Sequence, residues 1–178
     1  MQPDLQAVAD DRKSMGKTTK RRALLIVNPH ARNGRGYGVD IRSALERGGL
    51  QLIERNPQDD ETISDLILRE KDCDLVIVGG GDGSLNAAAK GLMETGMPLA
   101  ILPLGTANDF ARTIGIPADP VEAARRLSSY EIQPIDLGEV NGHLYFNVAS
   151  IGFSAELAQQ LSSAAKKKWG KLGYAIVA

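Results

Sequence analysis

The sequence predicts a three-layer, doubly wound α/β fold, in which helices cover both faces of a parallel sheet. Residues 23–27, 74–78 and 98–102 are short, largely apolar runs of the kind that form strands buried on both faces. Stretches in which apolar residues recur at helical spacing lie between these runs. Such alternation of strands and helices within 178 residues is typical of one doubly wound domain followed by a piece of another.

Local signals mark where the predicted elements begin and end. Gly48-Gly49 ends the first helix, and Asp59 or Asp60 is predicted to cap the second. Asp119-Pro120 is a cap and first-turn pair for the last helix. The predicted order is strand 23–27, helix 39–47, strand 50–54, a helix through Glu70, strand 74–78, helix 84–94, strand 98–102, a short helix from Asn108 or Asp109, and a helix to Leu127.

The pattern changes near Ser129, which divides the chain into three predicted segments. Residues 1–20 are polar and lack periodicity, so they are expected to be a disordered tail. Residues 21–129 are the predicted α/β domain, and residues 130–178 begin a second domain. This last segment has hairpin material at 132–136, 138–140 and 143–148, the turn pair Asn141-Gly142, and a predicted helix at 154–168.

Composition restricts the class of protein. The net charge of -1 argues against a general nucleic-acid binder, which usually has a basic surplus. The single cysteine, Cys73, precludes an internal disulfide and fits a reducing cytoplasm. No apolar run has the length of a membrane span, and residues 1–22 lack the apolar stretch of a secretory signal. A cytoplasmic protein without a transmembrane segment is therefore expected, which would meet a membrane-borne substrate at the surface.

The strand at 74–78 leads directly into a glycine loop. Glycine lets a backbone approach an anion without a Cβ clash, and the free N–H groups of a helix start attract phosphate. In an open α/β sheet, ligands bind at the carboxyl ends of the strands, where this loop lies. A phosphate site is therefore predicted at Gly79, Gly80, Gly81, Asp82, Gly83, Ser84 and Leu85.

Two better-known glycine motifs do not fit this loop. A dinucleotide fingerprint would have a third glycine where Asn86 stands and an acidic residue where Pro103 stands. A Walker loop would need Gly-Lys-Ser or Gly-Lys-Thr, which the sequence lacks at this point. A tight turn without a ligand is the remaining alternative, and three successive glycines followed by an aspartate favour the phosphate site over it.

Asp82 is the unexpected member of a phosphate loop. A carboxylate repels phosphate unless a cation or a proton transfer makes use of it. Mg²⁺ is the usual bridge, held by one or two carboxylates together with phosphate oxygens. A helix cap is the alternative role, since aspartate is favoured at such positions, and both roles can coexist.

Two further loops are predicted to line the same edge of the sheet. Thr106 and Asn108, after the strand at 98–102, carry groups that can hydrogen-bond phosphate or sugar hydroxyls. Asn28 ends the first strand and can reach a nucleotide. Arg32 and Arg35, in the loop that follows, would screen phosphates or else belong to a solvated loop.

Together these segments resemble the diacylglycerol kinase catalytic domain family, which includes bacterial lipid kinases and sphingosine kinases. The Gly-Gly-Asp-Gly element is shared with NAD kinases and phosphofructokinases, whereas Gly-Thr-Ala-Asn-Asp-Phe-Ala is more specific to the lipid kinases. The resemblance extends from Ala23 to the end of the chain. The matching residues are Asn28-Pro29 with Gly34 and Gly36, residues 79–86, residues 103–111, residues 135–138, and Phe146-Asn147 with Ala149-Ser150 and Gly152-Phe153.

The resemblance implies a Rossmann-like nucleotide-binding domain of the NAD kinase and diacylglycerol kinase type, followed by the start of an incomplete β-sandwich domain. It implies ATP and Mg²⁺ as cofactors, and transfer of the γ-phosphate to a lipid hydroxyl, such as that of diacylglycerol, at the inner membrane surface. It also implies that residues 80–85 cradle the phosphates and that Gly105-Thr106 contacts the nucleotide. Asp82 would be the catalytic residue, serving the metal or acting as base.

A cluster of lysines near the end of the chain is the last candidate. These side chains would meet ATP phosphates or an anionic membrane, and Lys171 is the candidate for the phosphates. The cluster comprises Lys166, Lys167, Lys168 and Lys171. A solvated helix end is the alternative, because cations are favoured at helix C-termini.

The family's domains extend beyond the length matched here, so the chain is expected to be the ATP-binding part of a lipid kinase with little activity of its own. Apolar edges left by a partial sandwich would favour a homodimer. An NAD kinase-like enzyme and a non-catalytic nucleotide-binding fragment are the alternatives.

Overall fold

The computed structural model describes residues 20–28, 38–58 and 60–147, which contain a four-stranded parallel sheet with helices on both faces. The predicted α/β class is confirmed, and each of the four strands predicted before residue 129 agrees with an observed one to within two residues. In spatial order the strands are β2 (Leu50–Glu54), β1 (Arg21–Val27), β3 (Leu75–Gly80) and β4 (Leu99–Pro103).

All four strands are parallel, but the side of β1 on which new strands are added changes between β2 and β3. The chain first moves outward from β1 to β2, and then returns to the other side of β1 to form β3 and β4. A reversal of this kind opens a crevice at the carboxyl ends of the two central strands. Val27 pairs with Gly79, and Gly80 pairs with Pro103, so the glycine loop leaves the sheet beside the ends of both neighbouring strands.

Within the described residues, five α-helices form the two outer layers. Leu45 and Val121, from the first and last of them, pack on one face of the sheet with Ile77. Leu85 packs on the other face with Val78, the next residue of the same strand. The three predicted layers are therefore present. The helices are α1 (Gly38–Arg47), α2 (Ile63–Arg69), α3 (Asp82–Thr95), α4 (Asp109–Thr113) and α5 (Pro120–Arg126), with a 3₁₀ turn at Leu127–Ser129.

The helix caps are partly as predicted. Asp119 caps α5 by accepting hydrogen bonds from the N–H groups of Val121 and Glu122, as expected. The prediction for α2 was wrong, because Thr62 and neither Asp59 nor Asp60 is its cap. A Thr-x-x-Asp box satisfies two donors reciprocally, which an isolated aspartate further upstream cannot do.

Thr62→Ala is expected to lower the free energy of unfolding by about 1 kcal/mol, because the cap of α2 is lost. Thr62 Oγ1 accepts a hydrogen bond from Asp65 N at 3.1 Å, and Asp65 Oδ2 accepts one from Thr62 N at 3.0 Å. Urea unfolding followed by circular dichroism measures the loss. Thr113→Ala, which removes an exposed hydroxyl without a capping role, is the control and should change stability by less than about 0.5 kcal/mol.

The same cap has a pH dependence of known sign. Hydrogen bonds from Thr62, first from its side chain and then from its backbone, lower the pKa of Asp65 from its ordinary value of 3.8. A lowered folded-state pKa gives a contribution that is complete above 3.8 and is lost as the pH falls below it. The difference between wild type and Thr62→Ala should therefore shrink in acid, and a constant difference would contradict this account of the cap.

A short antiparallel hairpin follows the α/β layers, formed by β5 (Gly138–Val140) and β6 (His143–Tyr145). Asn141 and Gly142 turn the chain with φ of 50° and 78°, which confirms the predicted Asn-Gly turn. The prediction of strand material at 132–136 was wrong, because these residues pair with no strand of the described chain.

Several predictions lie outside the described residues. They concern the tail at 1–19, the loop at 29–37 with Arg32 and Arg35, and everything from residue 148 onward, including Lys171 and the helix at 154–168. The division into domains at residue 129 and the β-sandwich stay predictions.

Candidate active site

The candidate site lies at the carboxyl edge of the sheet, where the loops after β1, β3 and β4 meet. Asn28 follows β1 and donates a backbone hydrogen bond to Gly79 O at 2.9 Å. Leu104 N and Gly105 N, after β4, both donate to Gly80 O, at 3.0 and 3.2 Å. The three segments that the sequence placed at one edge are therefore joined by backbone hydrogen bonds.

The glycine loop and the loop after β4 touch backbone to backbone. A Cβ on Gly105 would lie 2.4 Å from Gly81 Cα, and a Cβ on Gly81 would lie 3.1 Å from Gly105 Cα. Real Cβ atoms do not approach backbone as closely as the first of these distances. Gly105 must therefore be glycine for steric reasons within the protein, apart from any ligand, and Gly81 leaves little room for a side chain.

The other two glycines of the strand end are also packed. A Cβ on Gly79 would lie 2.9 Å from Leu104 Cδ1, and one on Gly80 would lie 2.4 Å from Ser84 Oγ. The side chain of Ser84 fills the space over Gly80, where it is buried and accepts a hydrogen bond from Asn28 Nδ2 at 3.1 Å. Ser84 and Asn28 therefore hold the loop in shape.

Gly83 differs from all of these glycines. It is exposed, its φ is not in the left-handed region, and a Cβ placed on it would meet no atom within 4 Å. Within the described residues, no acceptor takes a hydrogen bond from the N–H of Gly83 or of Asp82, the first two residues of α3. An open approach to two unpaired N–H groups at a helix start is the arrangement that binds phosphate.

Asp82 caps the next helix instead of its own. Its Oδ2 accepts from Asp109 N at 3.1 Å, and its Oδ1 accepts from Phe110 N at 3.0 Å. These are the first two N–H groups of α4, which otherwise lack a partner. We call these two hydrogen bonds the clamp. Each carboxylate oxygen keeps a second lone pair, so the clamp leaves Asp82 able to bind a cation as well.

Asn108 precedes α4 but does not cap it with its side chain. Its φ of 50° places it in the left-handed region, and its side chain closes the loop from within. Oδ1 accepts from Gly105 N at 2.9 Å, while Nδ2 donates to Gly105 O at 3.0 Å and to Pro103 O at 3.3 Å. Asn108 therefore shapes the loop rather than presenting its amide to a ligand.

The remaining predicted site residues divide in the same way. Leu85 is buried, and its N–H donates to Gly81 O at 3.2 Å, so it supports the loop from below. Thr106 is exposed, and its hydroxyl has no hydrogen bond to any described residue. Among the described residues, Thr106 and Gly83 are thus predicted positions that are open to a ligand, together with the N–H and the remaining lone pairs of Asp82.

One residue of the glycine motif has a contact that the sequence did not indicate. Asn86, one turn beyond Asp82 on α3, accepts a hydrogen bond from Phe146 N at 3.1 Å. Phe146 follows β6, so the hairpin is attached to the helix that carries the loop. Only the presence of Asn86 and Phe146 in the two motifs could have signalled it.

A cavity of about 740 Å³ lies elsewhere, beside the amino ends of the strands. Arg21, Leu50, Leu75 and Leu99, which begin the four strands, all line it. It is therefore at the opposite edge of the sheet from the glycine loop and does not belong to the predicted nucleotide site. In the described part of the chain, no cluster of three or more histidine, cysteine or acidic residues could hold a metal on its own.

The chain belongs to the diacylglycerol kinase catalytic domain family. The sequence pattern of that family matches residues 22–140, which include the fold and the loops described above. The protein named "Probable lipid kinase YegS-like" of Pseudomonas syringae pv. syringae is 35% identical over 172 residues, covering 88% of this chain and 52% of the relative. The protein named "Diacylglycerol kinase" of Bacillus subtilis is 38% identical over 107 residues, covering 58% of this chain and 35% of the relative.

A solved structure agrees with these relatives. The crystal structure of a diacylglycerol kinase from Bacillus anthracis superposes with a TM-score of 0.66 at 33% identity, covering 74% of this chain and 52% of that one. The chain thus spans about half the length, or less, of these three proteins. None of the helices in the described residues is long and apolar enough to cross a membrane.

Proposed function

We propose that this chain is the ATP-binding part of a lipid kinase, which uses ATP and Mg²⁺ to phosphorylate a lipid hydroxyl such as that of diacylglycerol. The observation that carries the proposal is the open end of α3. Gly83 leaves room for a phosphate, and the N–H groups of Asp82 and Gly83 have no partner among the described residues. The loop after β4 forms a second wall beside it and presents the Thr106 hydroxyl.

The residues of the loops have two kinds of role in this proposal. Gly83 and Thr106 face the nucleotide. Gly79, Gly80, Gly81 and Gly105, together with Asn28, Ser84, Leu85 and Asn108, hold the loops at the distance that the nucleotide requires. Lys171 stays a predicted phosphate ligand.

Asp82 is the residue that we propose holds Mg²⁺. Mg²⁺ takes one or two carboxylates together with phosphate oxygens and water, so a single fixed aspartate at a phosphate loop fits its chemistry. Bound there, the ion would neutralise charge on the phosphates during transfer. Asp82 is held by two N–H groups, and this preorganisation is what positions such a ligand without cost at the moment of reaction.

Titration of the 178-residue chain with ATP by calorimetry, with and without Mg²⁺, tests the binding part of the proposal. Saturable binding that Mg²⁺ strengthens is the expected result, and NAD should bind much more weakly. Absence of binding at about 1 mM ATP, a free energy of roughly -4 kcal/mol, would contradict the proposal.

A non-catalytic nucleotide-binding fragment is the second candidate, because the chain spans about half of its YegS-like relative. Transfer of labelled γ-phosphate to diacylglycerol in mixed micelles separates the two candidates. A kinase would meet its acceptor at the inner membrane surface and would label the lipid, whereas a non-catalytic fragment would bind ATP without transfer. The chain by itself is expected to bind ATP and to transfer little.

A further inference from the structure

Helix α3 holds two later elements of the chain through one face. Asp82 and Asn86 are four residues apart, so their side chains project from the same side of the helix, one turn apart. Asp82 accepts the first N–H groups of α4, and Asn86 accepts the N–H of Phe146. Both side chains therefore act as acceptors for backbone that comes from outside α3.

The hold of Asp82 on α4 is important because α4 is very short. It spans the five residues Asp109–Thr113, and helices of that length are not stable alone. Asn108, at the cap position, uses its side chain within its own loop. Within the described residues, Asp82 thus supplies the side-chain cap of α4, and a shift of the glycine loop would move α4 with it.

Phe110 connects this helix to the hairpin. Its N–H donates to Asp82, and its ring lies 5.1 Å from the ring of Phe146, tilted by 47°, which is a favourable aromatic geometry. Phe110 is buried in the core cluster on this face of the sheet, and Phe146 packs against that cluster. Asp82, Phe110, Phe146 and Asn86 therefore form a closed ring of contacts, which we call the α3 joint.

We propose that the α3 joint sets the position of the β5–β6 hairpin relative to the glycine loop, and that Asn86 is a positioning residue for the site. This inference rests on the proposed function, since Asn86 can act as a positioning residue only if the glycine loop binds a nucleotide. Phosphate bound at Gly83 would restrain the first turn of α3, and Asn86 on the next turn would pass that restraint to Phe146.

Amide hydrogen exchange of the 178-residue chain, with and without ATP and Mg²⁺, measures the joint directly. Asn86→Leu keeps the size of the side chain but removes the acceptor, whereas Asn86→Asp keeps an acceptor. In Asn86→Leu without nucleotide, the Phe146 amide should exchange roughly tenfold faster, because one hydrogen bond is lost. Asn86→Asp should restore the slow exchange.

The nucleotide-dependent part of the same experiment tests positioning. In the wild type, ATP with Mg²⁺ should protect residues 82–85 and also slow exchange in the hairpin at 138–147. In Asn86→Leu, protection at 82–85 should remain while the effect on the hairpin is lost. Glu94→Leu, another polar-to-leucine change at an exposed α3 position, is the control and should behave like the wild type.

Each outcome decides a separate point. If ATP protects nothing in the wild type, the proposed function fails, while the exchange of Phe146 without nucleotide still tests the contact. If Asn86→Leu leaves the hairpin unchanged in both states, the joint is wrong. If it loosens the hairpin but the ATP effect on the hairpin persists, Asn86 is structural only, and positioning is overturned. If Asn86→Leu fails to fold, Asn86→Ala, which removes the same acceptor at an exposed helix position, should show the same loss of coupling.

Discussion

Gly105→Ala is expected to destabilise the protein by about 2–3 kcal/mol, whereas Gly83→Ala is expected to stabilise it by about 0.5–1 kcal/mol. The new Cβ of Gly105→Ala would lie 2.4 Å from Gly81 Cα and 2.7 Å from Asn108 Oδ1, so backbone must move to admit it. At Gly83 the Cβ would meet nothing, and alanine is the better residue within a helix.

For ATP affinity the order is reversed: Gly83→Ala, the more stable variant, should lose more affinity than Gly105→Ala. Gly83→Ala places a methyl group where the phosphate approaches two N–H groups, so ATP affinity is expected to fall by about tenfold or more even though the fold is firmer. Gly105→Ala should weaken binding only as far as it disturbs the loop. Urea unfolding and calorimetric titration of the same two variants give both quantities.

This pair of variants separates the packing role of a glycine from its ligand role. In the structure the space around Gly83 is open. A loss of stability in Gly83→Ala would contradict this. If that variant gains stability as expected but its ATP affinity is unchanged, the phosphate does not bind at Gly83. The main support for the nucleotide site is then lost.

The fold was predictable because each buried strand is a compact apolar run. The strands near residues 23–27 and 74–78 are buried on both faces, and their short length and β-branched residues favour a strand over a buried helix. Segment 132–136 has only two apolar residues, Ile132 and Ile135, and forms no strand in the described chain, where it lacks a partner edge. Local sequence reports the apolar run and does not report the partner.

The meeting of the three loops at one edge of the sheet was predictable, but the separate contacts of their residues were not. Glycine spacing after a strand located the loop, but Gly81 and Gly105 are 24 positions apart and their contact is a tertiary feature. The same holds for Asp82, which was predicted as a helix cap but caps α4, 27 positions later, and not its own helix. Long-range hydrogen bonds of this type leave no periodic signal in a sequence.

Asp82→Ala is expected to cost about 3 kcal/mol of stability and to abolish the benefit of Mg²⁺ for ATP binding. The stability loss arises because two N–H groups of α4 lose a charged acceptor together. Asp82→Asn keeps one acceptor oxygen, so it should lose only about 1–2 kcal/mol and remain folded. The measurement is the ratio of ATP dissociation constants with and without Mg²⁺, which should fall towards one in Asp82→Asn.

Asp109→Asn is the matched control for the charge. Asp109 is adjacent in space, its backbone N–H is held by Asp82, and its side chain pairs with Arg112 at the surface. Removing its charge leaves the clamp intact, so both stability and the Mg²⁺ effect should stay near wild type. If Asp82→Asn loses stability but keeps the full Mg²⁺ effect, Asp82 is a clamp and the metal has another ligand. If both variants lose the Mg²⁺ effect equally, the effect depends on local negative charge. The fixed position of the Asp82 carboxylate is then not needed to explain it.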